Sequence, residues 1–414
     1  MRKQLFDIGA ILFSAALYIA GAGLIGILIP ARGLAAHFST FGLGTIGSLY
    51  FAGFVLGCFA GPRLLARVGH SRVFGVGAGL SAAAILGQSI FVSVPAWIVL
   101  RGIFGIAAAL IYMVIESWLN DRASNENRGR IFSLYLLVNF SSIVAGQMLS
   151  GTSKPESFTL FSLAAILFAL CLIPMGLTRL PQPLAANVPV LRPLRLFRLA
   201  PVGVMGCIMV GFANSAVWTF GPVFAEGHGL TKGWMAIFMS VFTFGGAIVQ
   251  VPLGRVSDRM DRRIIIFTVC TVAAILGVTL ATFSGAHRWM ILPLAGCFGV
   301  VALPLYGLSV AHTNDRIARD EFVETSATLL MINSLASVSG PVLAAAVMDT
   351  FGTGALFFYT AMLHTAMAVF TALRISVKNA VPAADRERFE PIPPGATQAE
   401  AALDPRGADE QHAA

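Results

Sequence analysis

Eleven polar or amphipathic side chains interrupt otherwise apolar stretches of this sequence: Tyr18, Arg101, Tyr112, Glu116, Asn139, Gln147, Asn214, Trp218, Gln250, Tyr306 and Asn333. A guanidinium can bind an anion, a carboxylate can carry a proton, and amides, phenols and indoles can hydrogen-bond or stack on an organic molecule. Tyr112 and Glu116 are four residues apart, as are Asn214 and Trp218, so each pair can share a helix face. Arg101 and Glu116 lie about 22 Å apart along a helix at 1.5 Å per residue and cannot pair directly. Glu116 could take a proton, or could pair with Arg128 or Arg130. The amides could meet a ligand or only join neighbouring helices. Nothing in the set pairs a nucleophile with a base, and no G-x-x-x-x-G-K-[ST] phosphate loop occurs, so enzymatic chemistry is not expected.

The segments carrying these residues are membrane spans. The 414-residue chain is 57% hydrophobic and only 12% charged, against about 25% charged for a typical soluble domain. Runs of about 20 apolar residues, the length needed to cross a hydrocarbon core, recur along it. They predict twelve helices at about 8–30, 42–62, 73–95, 97–119, 130–151, 157–178, 201–224, 234–254, 263–284, 289–311, 326–348 and 354–375. The first run is too long for a signal peptide and lacks a small-residue cleavage site. The five cysteines lie in apolar runs with no C-x-x-C spacing, which implies neither disulfide nor metal.

Of the 28 lysines and arginines, 23 fall on one alternating set of breaks and four on the other, with Arg101 inside a span. By the positive-inside rule both termini are expected in the cytoplasm. The basic balance is thus an orientation signal, and nucleic acid is not an expected partner. The Pro- and Arg-rich break 179–200 divides the chain into six spans and six, 1–178 and 201–377. Residues 378–414, rich in Pro, Ala and charge, are expected to form a disordered cytoplasmic tail.

The two halves repeat. "GRVSDRMDRR", Gly254 to Arg263, has a weaker counterpart in "PRLLARVGHSR", Pro62 to Arg72; aligning Arg67 with Arg259 sets Gly53 over Gly245. The later copy resembles the G-x-x-x-D-R-x-G-R-R/K signature of major facilitator superfamily transporters. Gly254, Asp258, Arg259, Arg262 and Arg263 match, with Asp261 in place of the second glycine; Arg67 and Gly69 survive in the earlier copy. "LRGIFGIAAALIY" around Arg101 is similar to the superfamily's fourth-span L-x-x-x-R-x-x-Q-G-x-G-A-A pattern, with Trp97 for Leu and Phe104 for Gln. Glu116-Ser117, Asn127 to Arg130, Gly146-Gln147 and Gly340-Pro341 resemble the YcaD-like branch. Gly340-Pro341 is also similar to a pattern of proton-drug antiporters, but in the eleventh span rather than the fifth.

The resemblance implies an all-α membrane protein of two six-helix bundles. It implies a secondary transporter that moves a small organic solute across the inner membrane by alternating access, with proton coupling through Glu116. The first, fourth, seventh and tenth spans of such a fold line a cavity, flanked by the second, fifth, eighth and eleventh. That makes Arg101, Tyr112, Asn139, Gln147, Asn214, Trp218, Gln250, Tyr306 and Asn333 the candidate solute contacts. The signature copies would act as a gating latch, their glycines letting a neighbouring helix approach. Metabolites, vitamins such as riboflavin, sugars and drugs all fit; efflux by antiport is the alternative, and a membrane receptor or enzyme the distant one. The expected partners are the solute, the lipid bilayer and protons; no cofactor or metal is expected, and the chain is expected to act as a monomer.

Overall fold

Residues 2–124, 127–178, 183, 191–282, 290–318, 321–377, 381–382, 386–393, 396–397 and 399 are described by a computed structural model, with side chains from residue 8 onward apart from those of residues 232 and 323. Most of the break at 179–190 and most of the tail at 378–414 lie outside them. The described residues form helices without a strand. Those of the first half are α1 (Arg2–Ala35), α2 (Thr40–Val68), α3 (His70–Ile90), α4 (Val94–Arg122), α5 (Arg128–Leu149), α6 (Phe158–Leu170) and α7 (Leu172–Leu177). A short α8 (Pro193–Leu199) precedes α9 (Pro201–Gly227), α10 (Lys232–Arg259), α11 (Arg262–Thr282), α12 (Ile291–Ala302), α13 (Leu305–Asn314), α14 (Phe322–Phe351) and α15 (Ala355–Ile375). Among the described residues, twelve stretches are long and apolar enough to cross a membrane, α6 with α7 and α12 with α13 each counting as one.

Helices suit this composition because each satisfies its backbone polar groups internally, which a hydrocarbon solvent demands. Their outward faces stay apolar: Phe13, Leu56, Leu137, Ile173, Phe244 and Ile275 are all exposed. The short break between the third and fourth spans is closed locally. Pro95 sits in the first turn of α4, where its missing N–H costs nothing, and the Trp97 indole N–H donates to the Gln88 carbonyl at 2.9 Å.

Packing divides the chain into two units. The first draws on Met1–Ala36, Leu49–Val190 and Pro393–Ala414, the second on His37–Ser48 and Leu191–Ile392. In the first, α1 packs on α5 and α3 on α4 and α6; in the second, α9 packs on α14 and α11 on α15. These are the same pairs of spans, first with fifth and third with sixth.

The repeat extends to single glycines. A Cβ on Gly53 would strike the Gly102 carbonyl and one on Gly105 the Tyr50 carbonyl; in the second unit Gly245 meets the Gly296 carbonyl and Gly299 the Phe242 carbonyl in the same way. Gly146 abuts the Ala20 carbonyl, and Gly340 abuts the Phe212 carbonyl. The Gly340-Pro341 pair therefore serves close helix packing. Gly53→Ala and Gly245→Ala are each expected to cost about 1–3 kcal/mol through overpacking, lowering the melting temperature of the purified protein. Gly79→Ala, with open space around it, is the control; equal behaviour of all three would refute the crossing points.

The described tail residues depart from the expected disorder. Phe389, Ala396, Thr397 and Ala399 are all buried. Composition counts too few apolar residues for a core, but docking on a preformed surface needs only one ring and a few backbone groups, as described below.

Candidate functional site

The first unit gathers aromatic rings around Arg101. Its guanidinium lies 4.8 Å from the Tyr50 ring centroid and 5.3 Å from that of Phe104. Tyr50 and Phe104 are themselves 5.9 Å apart, and Phe104 continues to Phe168 at 5.6 Å. Phe168 leads to Tyr18 at 5.0 Å, and Tyr18 meets Tyr112 edge-on at 6.1 Å. Although Arg101 as a residue is half-buried, its Nε and Nη1 are inaccessible and have no hydrogen-bond partner among the described residues. Aromatic faces attract a guanidinium but leave its in-plane N–H groups unsatisfied, and such groups are costly when buried.

The second unit supplies an internal control. The glycines flanking this position recur 194 residues later, Gly102 as Gly296 and Gly105 as Gly299, which sets Ala295 where Arg101 stands and Phe298 over Phe104. Phe242, the counterpart of Tyr50, stacks on Phe298 at 6.2 Å. The same aromatic pair thus closes with a buried alanine and no cation. The fold does not require the arginine.

About four turns from Arg101 toward the other end of α4, Glu116 is completely buried. It accepts from the Tyr135 hydroxyl at 3.3 Å and from the Thr397 N–H at 3.0 Å, with the Thr397 hydroxyl donating to the same carboxylate. Asn139 is fully buried, and neither of its amide atoms has a partner among the described residues. Gln147 is also buried.

The other candidates belong to the second unit. Asn333 donates to the Cys207 carbonyl at 2.9 Å, so its amide joins α14 to α9. Trp218 packs edge-on against Phe242 at 5.7 Å. Asn214 and Tyr306 are half-buried. Gln250 is buried, with its Oε1 unpartnered among the described residues.

The charged signature is built around Arg262, which is 1% exposed. It pairs with Asp258 at 3.0 Å, one helical turn back, and with the equally buried Asp315 at 2.8 Å. It also donates to the Ser257 hydroxyl at 2.8 Å and to the Glu387 carbonyl. Asp315 accepts from the Glu387 N–H and Asp258 from the Phe389 N–H. The Phe389 ring, rather than a neighbouring helix, fills the space left by Gly254. Arg259 and Arg67 point outward. Gly69 has φ 85° before α3, a conformation that strains any residue with a Cβ.

Asp261 replaces the second glycine of the signature and does different work. Its carboxylate accepts the Arg263 N–H at 3.0 Å, capping α11, and grips the Arg263 guanidinium at 2.7 Å. Burial alone would raise its pKa, but Arg263 outweighs that and holds it below the ordinary carboxylate range. Burial lifts Asp315 above that range, against the pull of Arg262. A depressed carboxylate stabilises the fold above its unfolded pKa, about 3.9, and loses that contribution as pH falls through the folded value. Asp261→Asn should therefore lower the melting temperature by a constant amount from pH 7 to about 5, with the gap closing below about pH 4. A gap that showed no narrowing as pH fell below about 4 would contradict the assignment.

Asp315, Tyr135, Tyr50 and the tail contacts were not predicted. Asp315 had a local signal, an acid on an arginine-bearing break; the others sit in ordinary apolar or polar contexts that carry none.

Two repeated bundles, an intramembrane cation and a charged signature between the second and third spans of a half define a membrane transporter. The sequence model described as Major Facilitator Superfamily matches residues 11–321 and 233–406, and the chain belongs to that family. It is 26% identical over 341 residues to an uncharacterized MFS-type transporter YcaD of Escherichia coli O17:K52:H18, covering 82% of this chain and 88% of that one. The Escherichia fergusonii YcaD is 24% identical over 340 residues, with the same two coverages. Among solved structures, the nucleoside transporter NupG has a TM-score of 0.76 at 14% identity, covering 91% of this chain and all of that one. A D-xylose-proton symporter has 0.67 at 15%, covering 95% and 98%. These likenesses show the fold.

Proposed function

We propose that this chain is a secondary transporter of a small organic anion, with Arg101 as the counter-charge and the Tyr50–Phe104–Phe168 aromatics as the surface for the rest of the solute. The observation that carries this is the pair of buried, unpartnered nitrogens on Arg101, set against Ala295 at the repeated position. A buried cation persists in a membrane span when it has work to do, and a carboxylate-bearing solute would satisfy both N–H groups. Asn139 is a further contact. Glu116 is the proton carrier, a reading supported by the proton symport named for the xylose neighbour. On this reading the protein acts as a monomer in the inner membrane, and the arginine distribution supports cytoplasmic termini.

The test is a thermal-stabilisation screen of purified protein with carboxylated metabolites, each paired with its neutral amide, followed by counterflow of the hits in proteoliposomes. Carboxylates should stabilise and exchange, and their amides should bind at least about tenfold more weakly, the worth of one charge-assisted hydrogen bond. Hits that are predominantly neutral would overturn the anion reading.

A further inference from the structure

The tail contacts fall on the functional groups already described. In the second unit, the Glu387 and Phe389 N–H groups bind Asp315 and Asp258, the Glu387 carbonyl takes an N–H of Arg262, and the Phe389 ring rests on Gly254 and Gly307. In the first unit, Thr397 gives both its N–H and its hydroxyl to Glu116 and is itself 1% exposed. Phe389 is the only Phe, Tyr or Trp beyond Val377, and its ring is seated. Three of the six polar contacts in the second unit's cluster use tail backbone, and an extended backbone segment can be released without any helix changing its own hydrogen bonds.

We propose that this C-terminal segment is a resident inhibitor: it occupies Glu116 through Thr397 and the Asp258–Arg262–Asp315 cluster through residues 387–389, and must leave both for the transport cycle to run. With Thr397 giving both its donors to the Glu116 carboxylate, the tail stands where an incoming proton would have to reach it. Asp258 and Arg262, whose pairing would change in a gating latch, are tied to the tail in the same way. The inhibitory role rests on the transport reading; the docking does not.

Docking is tested on the full chain by the reaction of Glu116 with dicyclohexylcarbodiimide, a carboxyl reagent that partitions into membranes, quantified by mass spectrometry. Thr397→Pro removes both donors and should raise labelling about fivefold or more, the worth of one to two net hydrogen bonds. Thr397→Val, which keeps the N–H, should fall between. A synthetic peptide of residues 386–399 should suppress labelling of the Thr397→Pro protein. Equal labelling in wild type and both variants overturns the docking. For inhibition, Thr397→Pro and Phe389→Ala should each speed initial counterflow of the strongest hit from the metabolite screen. Unchanged or slower exchange overturns the inhibitory role and leaves the transport reading standing. Failure of every form, wild type included, to exchange any hit counts against the transport reading instead, while the labelling still decides the docking.

Discussion

Arg262→Met is expected to destabilise the second unit by about 3–5 kcal/mol, because removing one member of a buried ion pair leaves an uncompensated charge. Asp315 would be that charge: its side chain is 2% exposed and Arg262 lies 2.8 Å away. The same substitution also strips a partner from Asp258, Ser257 and the Glu387 carbonyl. Arg262→Lys should recover little, since an ammonium on a flexible stem cannot reproduce a planar fork that reaches four acceptors. Replacing both partners, Arg262→Met with Asp315→Leu, should regain most of the loss, as apolar substitutes for a buried pair are often neutral. Arg259→Met, on the exposed neighbour, should stay within about 0.5 kcal/mol. Melting temperature and half-life at a fixed temperature are the measurements, since unfolding in detergent is commonly irreversible. If Arg262→Met and Arg259→Met behaved alike, the arginines of the signature would be topology determinants and nothing more.

How much of this could be read from the sequence depends on the range of the physics involved. Hydropathy acts over about 20 residues and is carried by every member of a span, so all twelve spans were legible, though α4, α9 and α14 extend several residues past the apolar run where the helix continues into polar surroundings. The repeat was legible because a helix crossing that needs glycine admits nothing else, and Gly53 and Gly245 keep their spacing. Partners were not legible. Nothing local tells Arg262 to reach Asp315, 53 residues on, or Glu116 to accept from Tyr135 and Thr397. The contacts of the described tail residues were not legible for the same reason. Low average hydrophobicity rules out an independent core, but it does not measure whether a single phenylalanine and a few amides match a surface built elsewhere. The expected role for Gly254, admitting a helix, failed on this point alone: the space was read correctly, and its occupant comes from 135 residues later.

Arg101→Ala is expected to leave the fold intact and to abolish most of the affinity for an anionic solute. The two halves of that statement come from different observations. The second unit already contains the structural outcome of the substitution, Ala295 buried beside the Phe242–Phe298 pair, so melting temperature in the absence of solute should hold or rise as an unsatisfied buried charge is removed. Binding should respond in the opposite sense. Truncating one partner of a desolvated charge pair costs about 2–5 kcal/mol, which corresponds to a loss of roughly 30-fold or more in affinity. Arg101→Lys would keep the charge and lose the fork, and should fall between. A neutral solute that only stacks on the aromatics should bind both variants about as well as the wild type. Isothermal titration or solute-induced thermal shift, run beside melting without solute, separates the two effects. A structural arginine would lower the unliganded melting temperature and leave intrinsic affinity alone. A solute-binding one does the reverse, and only the second pattern is compatible with a cation that the repeat has shown to be dispensable for packing.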